Sequence, residues 1–163
     1  MAYTIAENML VGQAFAETST TAKHSLGLIV RAKDPTYGAG EFIYLKGVAS
    51  TAVGSWVTYN MDDGGTDLLA ANAIGPVAVA MAATVADTYG WYQISGKAVG
   101  KALTGFVDNA NVYATATAGS VDDAVVAGDR VKLAKGASAV DTPSTGLAEF
   151  EIARPFMDDG VAD

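Results

Sequence analysis

Apolar residues in this 163-residue chain come in short runs, each stopped by Gly, Asp, Asn or Pro, and helical spacing is weak throughout. Runs of that kind between turn signals predict an all-β fold, either a β-sandwich or a small β-barrel, with at most one or two short helices. The first run, 26–32, stops at Lys33-Asp34-Pro35, where proline removes a ladder donor. In 41–48, Phe42 and Tyr44 fall opposite Ile43 and Leu45, so both faces of that strand are covered. In 54–59, Trp56 and Thr58 oppose Val57 and Tyr59. In 77–81, Val77, Val79 and Met81 line one face and small alanines the other, the pattern of a central strand with something packed close on its alanine side.

Further strands are predicted at 90–96, at 97–103 with Gly100 as a bulge, and at 111–117, 129–134 and 149–154. Phe150 and Ile152 point inward in the last of these. The segment 66–74, with Leu68, Leu69 and several alanines, is the better candidate for a short helix. Gly54-Ser55-Trp56-Val57 and Gly128-Asp129-Arg130-Val131 share a spacing that suits a positive-φ turn opening a strand. Residues 1–25 read as an N-terminal arm or loosely docked segment with Leu10, Val11 and Phe15 as its main apolar anchors; 26–156 form the compact β domain, and 157–163 an acidic tail.

Charge and composition remove several functional classes. Eighteen acidic against ten basic residues give a net charge of −8, and the basic residues are scattered along the sequence, so a nucleic-acid partner is not expected. Without cysteine there is no disulfide scaffold, thiolate metal site or cysteine nucleophile. The opening residues lack the basic start of a secretory signal, and the longest apolar stretch, 74–85, is proline-interrupted and too short for a membrane span.

No constellation of catalytic residues emerges. His24 is the sole histidine and reads as a surface residue at the end of the arm. Tyr37-Gly38-Ala39-Gly40 lacks the third glycine of a dinucleotide loop and reads as a turn. The pairs Asp62-Asp63, Asp122-Asp123 and Asp158-Asp159 adjoin turn formers; solvated turn residues are the ordinary reading, with a cation site or an acid–base pair as the alternatives. No cofactor and no metal is expected. Trp56, Tyr59, Tyr89, Trp91 and Tyr92 are the richest aromatic content, open to three uses: packing, protein contact and stacking on a sugar.

The run Asp34-Pro35-Thr36-Tyr37-Gly38-Ala39-Gly40-Glu41-Phe42-Ile43-Tyr44-Leu45-Lys46-Gly47-Val48, then Gly54-Ser55-Trp56-Val57-Thr58-Tyr59 and Tyr89-Gly90-Trp91-Tyr92-Gln93-Ile94-Ser95-Gly96, resembles the head decoration (cement) proteins of tailed bacteriophages. The resemblance covers 26–155, and its motifs are structural. It implies a mostly β, noncatalytic homotrimer on the outer surface of the virion, bound to the major capsid protein and stabilising the assembled head. It brings no active-site residues. Leu10, Val11 and Phe15 of the arm, with Trp56, Trp91 and Tyr92, are the candidate capsid or subunit contacts. The alternative is a carbohydrate- or host-surface-binding module carried on the same particle, stacking through Trp56, Trp91 or Tyr92.

Overall fold

The computed structural model describes residues 4–5 and 12–158. Among them the chain is all-β, with eleven strands and no helix: β1 (Thr4–Ile5), β2 (Ile29–Asp34), β3 (Gly38–Lys46), β4 (Trp56–Tyr59), β5 (Thr66–Leu68), β6 (Gly75–Ala80), β7 (Tyr89–Lys101), β8 (Asn111–Ala114), β9 (Val121–Asp122), β10 (Arg130–Gly136) and β11 (Leu147–Met157). They form one antiparallel sheet in the order β1-β2-β3-β7-β6-β11-β10-β8-β9, with β4 joined to β6 and β5, and β7 paired additionally with β11. The segment 66–74, expected as a short helix, instead opens as β5 and continues as loop, because Thr66, Asp67 and Leu68 are taken up by the ladder with Tyr59, Thr58 and Val57.

Alternation along the strands divides the interior into three clusters. Phe42 and Tyr44 of β3 pack with Phe15, Val30, Ala32, Met81 and Trp91, while Ile43 and Leu45 pack on the other side with Val57, Ala78, Ala80, Tyr92 and Ile94. The third and largest cluster holds Trp56, Val77, Val79, Phe106, Phe150 and Met157. β6 is therefore central, its valines facing one cluster and its small alanines another. Met81 leaves that valine face and joins the cluster of Phe42.

The sheet curls so that strands distant in its order meet. The Lys46 N–H donates to the Gly64 carbonyl (2.8 Å), and the Thr66 hydroxyl donates to the Lys46 carbonyl (2.8 Å), bringing β3 against β5. Elsewhere the Trp56 N–H donates to Gly119 (3.0 Å), and the Leu103 N–H to Val121 (2.9 Å). These bonds satisfy backbone groups that an uncurled sheet would leave open at its edges.

Gly54 and Gly128 have φ of 79° and 83°, the positive-φ turns that their shared spacing predicts. Gly100, expected as a bulge, is not one: β7 and β11 stay in register from Leu147 opposite Lys101 to Ala153 opposite Ser95. A side chain there is excluded by the Trp56 indole, whose Nε1 would lie 2.5 Å from an added Cβ.

Residues 12–25 lie against the domain rather than free of it. Phe15 is buried with its ring 4.4 Å from Phe42 and 5.5 Å from Trp91. The Tyr44 hydroxyl donates to Gln13 Oε1 (2.6 Å), the Trp91 Nε1–H donates to the Gln13 carbonyl (3.0 Å), and the Gln13 amide donates to the carbonyls of Glu17 and Tyr89 (both 2.8 Å). At the other end Met157 is fully buried as the last residue of β11.

Candidate interaction surface

Four of the six residues singled out as contacts lie in the interior or its lining. Trp56, Trp91 and Tyr92 are fully buried and Phe15 is nearly so, which corrects the expectation that they meet a capsid or a neighbouring subunit and removes them as a sugar-stacking platform. Leu10 and Val11 lie outside the described residues. His24 is half-buried rather than free on the surface, set edge-on to Tyr44 with ring centroids 5.1 Å apart and 5.3 Å from Trp91. The Tyr92 hydroxyl is enclosed beside those of Thr66 and Thr84 but meets neither at hydrogen-bond geometry. Burial raises its pKa.

Members of the aspartate pairs accept backbone N–H groups or pair with a lysine. Asp63 Oδ1 accepts the Gly65 N–H (2.9 Å), Asp122 Oδ1 accepts the Asp123 N–H (2.9 Å), and Asp123 Oδ2 accepts the Val107 N–H (3.0 Å). Asp158 pairs with Lys132; its neighbour Asp159 lies outside the described residues. Asp34, ahead of the Tyr37-Gly38-Ala39-Gly40 turn, accepts the N–H groups of Thr36 (2.7 Å) and Tyr37 (3.0 Å). Among the described residues no group of three or more His, Asp or Glu side chains is gathered to hold a metal ion. A cleft of about 670 Å³ beside the β4–β5 turn is lined by Tyr59, Met61, Asp63, Asp67, Ile74 and Pro76 among others. Burial raises the pKa of Tyr59 there, and the positive charge of Arg154 opposes the rise.

The outer face of β2, β3, β7, β11 and β10 has a character that no linear stretch of sequence displays. Nine of the ten lysines and arginines lie on these five strands, against four of the eighteen acids, Asp34, Glu41, Glu149 and Glu151. Register builds lateral rows across them. Arg31 stands opposite Glu41, Glu41 opposite Ser95, and Ser95 opposite Ala153; Lys97 stands opposite Glu151, Glu151 opposite Lys135, and Lys135 opposite Asn111. Glu41 receives Arg31 (3.4 Å) on one side and Arg154 (3.2 Å) on the other, while Lys97 pairs with Glu149. Two hollows of about 390 Å³ each flank the Ser95–Ala153 pair. One is lined by Arg31, Lys33 and Glu41, the other by Arg130, Leu133, Lys135 and Glu151.

A bulge marks this face. Between Lys132 opposite Phe156 and Ala134 opposite Ile152 the β10–β11 register shifts, and Leu133 and Arg154 there adopt φ of 60° and 53°. The shift changes which side chains point inward. Val131 is inward before it and Ala134 and Gly136 after it, and on β11 the inward set passes from Ile152 to Pro155 and Met157. Phe106 fixes the later phase, since a Cβ on Gly136 would lie 2.8 Å from its ring. Leu133 is thereby turned out to 65% exposure, and Phe156 on the same face is 41% exposed. A leucine in the left-handed region costs about 1–2 kcal/mol, and such strain gathers at functional sites.

Alternation in 129–134 places Leu133 on the same face as Val131, and the bulge turns it to the opposite one. The basic face leaves no trace in the sequence, since its charges come from strands far apart along the chain. Comparison with protein-family models, with curated protein sequences and with solved structures finds no match for this chain.

Proposed function

We propose that this protein is a bacteriophage head decoration protein, a noncatalytic homotrimer that binds the major capsid protein on the outside of the virion and stabilises the assembled head. The observation that carries the reading is the outer face of β10 and β11, where Leu133 and Phe156 stand exposed among charged side chains on paired strands. Apolar side chains on a rigid polar surface suit protein contact, because the partner covers them without the domain having to rearrange. A protein that binds the intact shell more tightly than a ruptured one shifts the equilibrium toward the intact shell. Many copies add their effects.

The rival reading, a glycan-binding module, has lost Trp56, Trp91 and Tyr92 to the interior; of the five aromatic residues open to that use, Tyr59, in the β4–β5 cleft, and Tyr89 are half-buried. Sedimentation of the purified protein with undecorated heads of a tailed phage from the source tests the proposal. Saturable occupancy and a raised temperature of head rupture support it. Absence of co-sedimentation, joined to glycan binding lost in Tyr59→Ala, overturns it for the rival.

A further inference from the structure

We infer that the face of β2, β3, β7, β11 and β10 receives an acidic protein surface, with Leu133 as its apolar anchor. The inference rests on the decoration reading and names the chemistry of the partner and the face that meets it. The first argument is charge. On a chain of net charge −8, this face carries seven basic side chains, Arg31, Lys33, Lys97, Arg130, Lys132, Lys135 and Arg154, against four acids, Glu41, Glu149, Glu151 and Asp158. The acids are already engaged or outnumbered. Glu41 holds two arginines, Glu149 pairs with Lys97 and Asp158 with Lys132. Among the described residues no carboxylate lies within ion-pair range of Lys33, Arg130 or Lys135, and Arg130 reaches only the Asn111 amide oxygen (3.3 Å).

The second argument is spacing. Lys33 borders one hollow, and Arg130 and Lys135 border the other. The strands that carry them stand four steps apart in the sheet, β2-β3-β7-β11-β10. At about 4.8 Å per step the two cationic sites are roughly 19 Å apart. A small anion cannot reach both, whereas an extended acidic surface can. The third argument is the bulge. It holds Leu133 outward on the strand that carries Arg130 and Lys135, which gives a partner an apolar contact ringed by charge. The exposed Leu133 and Phe156 favour a protein over a phosphate-rich polymer, which brings no apolar surface to cover them.

The test uses the full ¹⁵N-labelled chain titrated with poly-L-glutamate, duplex DNA and dextran sulfate, alongside head co-sedimentation. Poly-L-glutamate is expected to move amide signals of residues 31–33, 130–135 and 151–154, with affinity falling about tenfold between 50 and 300 mM NaCl through screening. The triple variant Lys33→Glu, Arg130→Glu, Lys135→Glu should lose that binding and its head occupancy while keeping its dispersed spectrum. Tighter binding to DNA or dextran sulfate than to poly-L-glutamate overturns the inference in favour of a general polyanion site. Concentration-dependent self-association mapping to the same amides overturns it in favour of a second copy of this chain. Full head occupancy by the folded triple variant overturns this face as the contact and leaves the decoration reading standing. Failure of the wild-type chain to bind heads, with poly-L-glutamate binding intact, overturns the decoration reading alone.

Discussion

Replacing Gly100 by alanine places a methyl carbon 2.5 Å from Trp56 Nε1, 2.9 Å from Cε2 and 3.2 Å from Cζ2. None of these atoms is the loose end of a flexible side chain. The indole is fully buried, and its ring stands edge-on to Phe150 with centroids 4.9 Å apart. Relief therefore requires moving Trp56 against Phe150 or parting β7 from β11, and overpacking of a well-filled core costs about 1–3 kcal/mol. We expect about 2–3 kcal/mol here, since two large rings and a ladder resist together. For a domain of this size that lowers the melting temperature by roughly 5–10 °C. Urea unfolding followed by tryptophan fluorescence measures it, with Gly12→Ala as the reference because an added Cβ at Gly12 meets nothing within 4 Å. Trp56→Phe in the Gly100→Ala background removes the crowded Nε1, and the coupling between the two changes should exceed about 0.5 kcal/mol. Equal stability of Gly100→Ala and Gly12→Ala would falsify the packing account of this glycine.

Other perturbations test separate parts of the structure. Phe15→Ala opens the cluster of Phe42 and Trp91 and should cost about 3–5 kcal/mol in urea unfolding, so deletion of 2–15, which also removes Gln13, destabilises the domain rather than merely trimming an arm. A loss under 1 kcal/mol, on the order of a surface change, would show that 12–25 is only loosely docked. Burial raises the pKa of Tyr92, Tyr59 and Tyr44. As pH rises through about 10, the unfolded chain releases phenolic protons that the folded chain retains, so stability falls there; unfolding midpoints should drop from pH 9 to 11, and a flat profile would contradict this. Leu133→Gly relieves left-handed strain but frees the unfolded chain, for a net gain of about 0.5–1 kcal/mol, together with weaker head occupancy. A stability loss in that variant would mean that Leu133 packs in the folded state more than its exposure indicates.

Much of the β architecture is legible in the sequence because its causes are local. Phe42 and Tyr44 separate from Ile43 and Leu45 through a two-residue repeat, and Gly54 and Gly128 take positive φ where a turn must open a strand. Where short-range reasoning went astray, a distant residue had decided the matter. Segment 66–74 carries helix-forming residues, yet its start is claimed by Tyr59 and Lys46. Gly100 looks like a bulge until Trp56 occupies its side-chain space, and how closely the segment of Phe15 docks depends on Gln13, which ties it to Tyr44 and Trp91. Alternation marks Trp56, Trp91 and Tyr92 as strand residues but does not determine whether a second layer or a partner covers them; the interior of the domain does.

By itself, then, the amino-acid order determined the strand class, the turn positions and the two-faced character of β3 and β6, all of which depend on neighbours within a few residues. Strand order decided the rest. Arg31 and Arg154 converge on Glu41 because β3 and β11 both pair with β7, and Leu133 faces solvent because the β10–β11 register shifts beside it. A scattered set of lysines and arginines becomes a basic face when register aligns them, and register is a property of pairs of strands rather than of either strand alone.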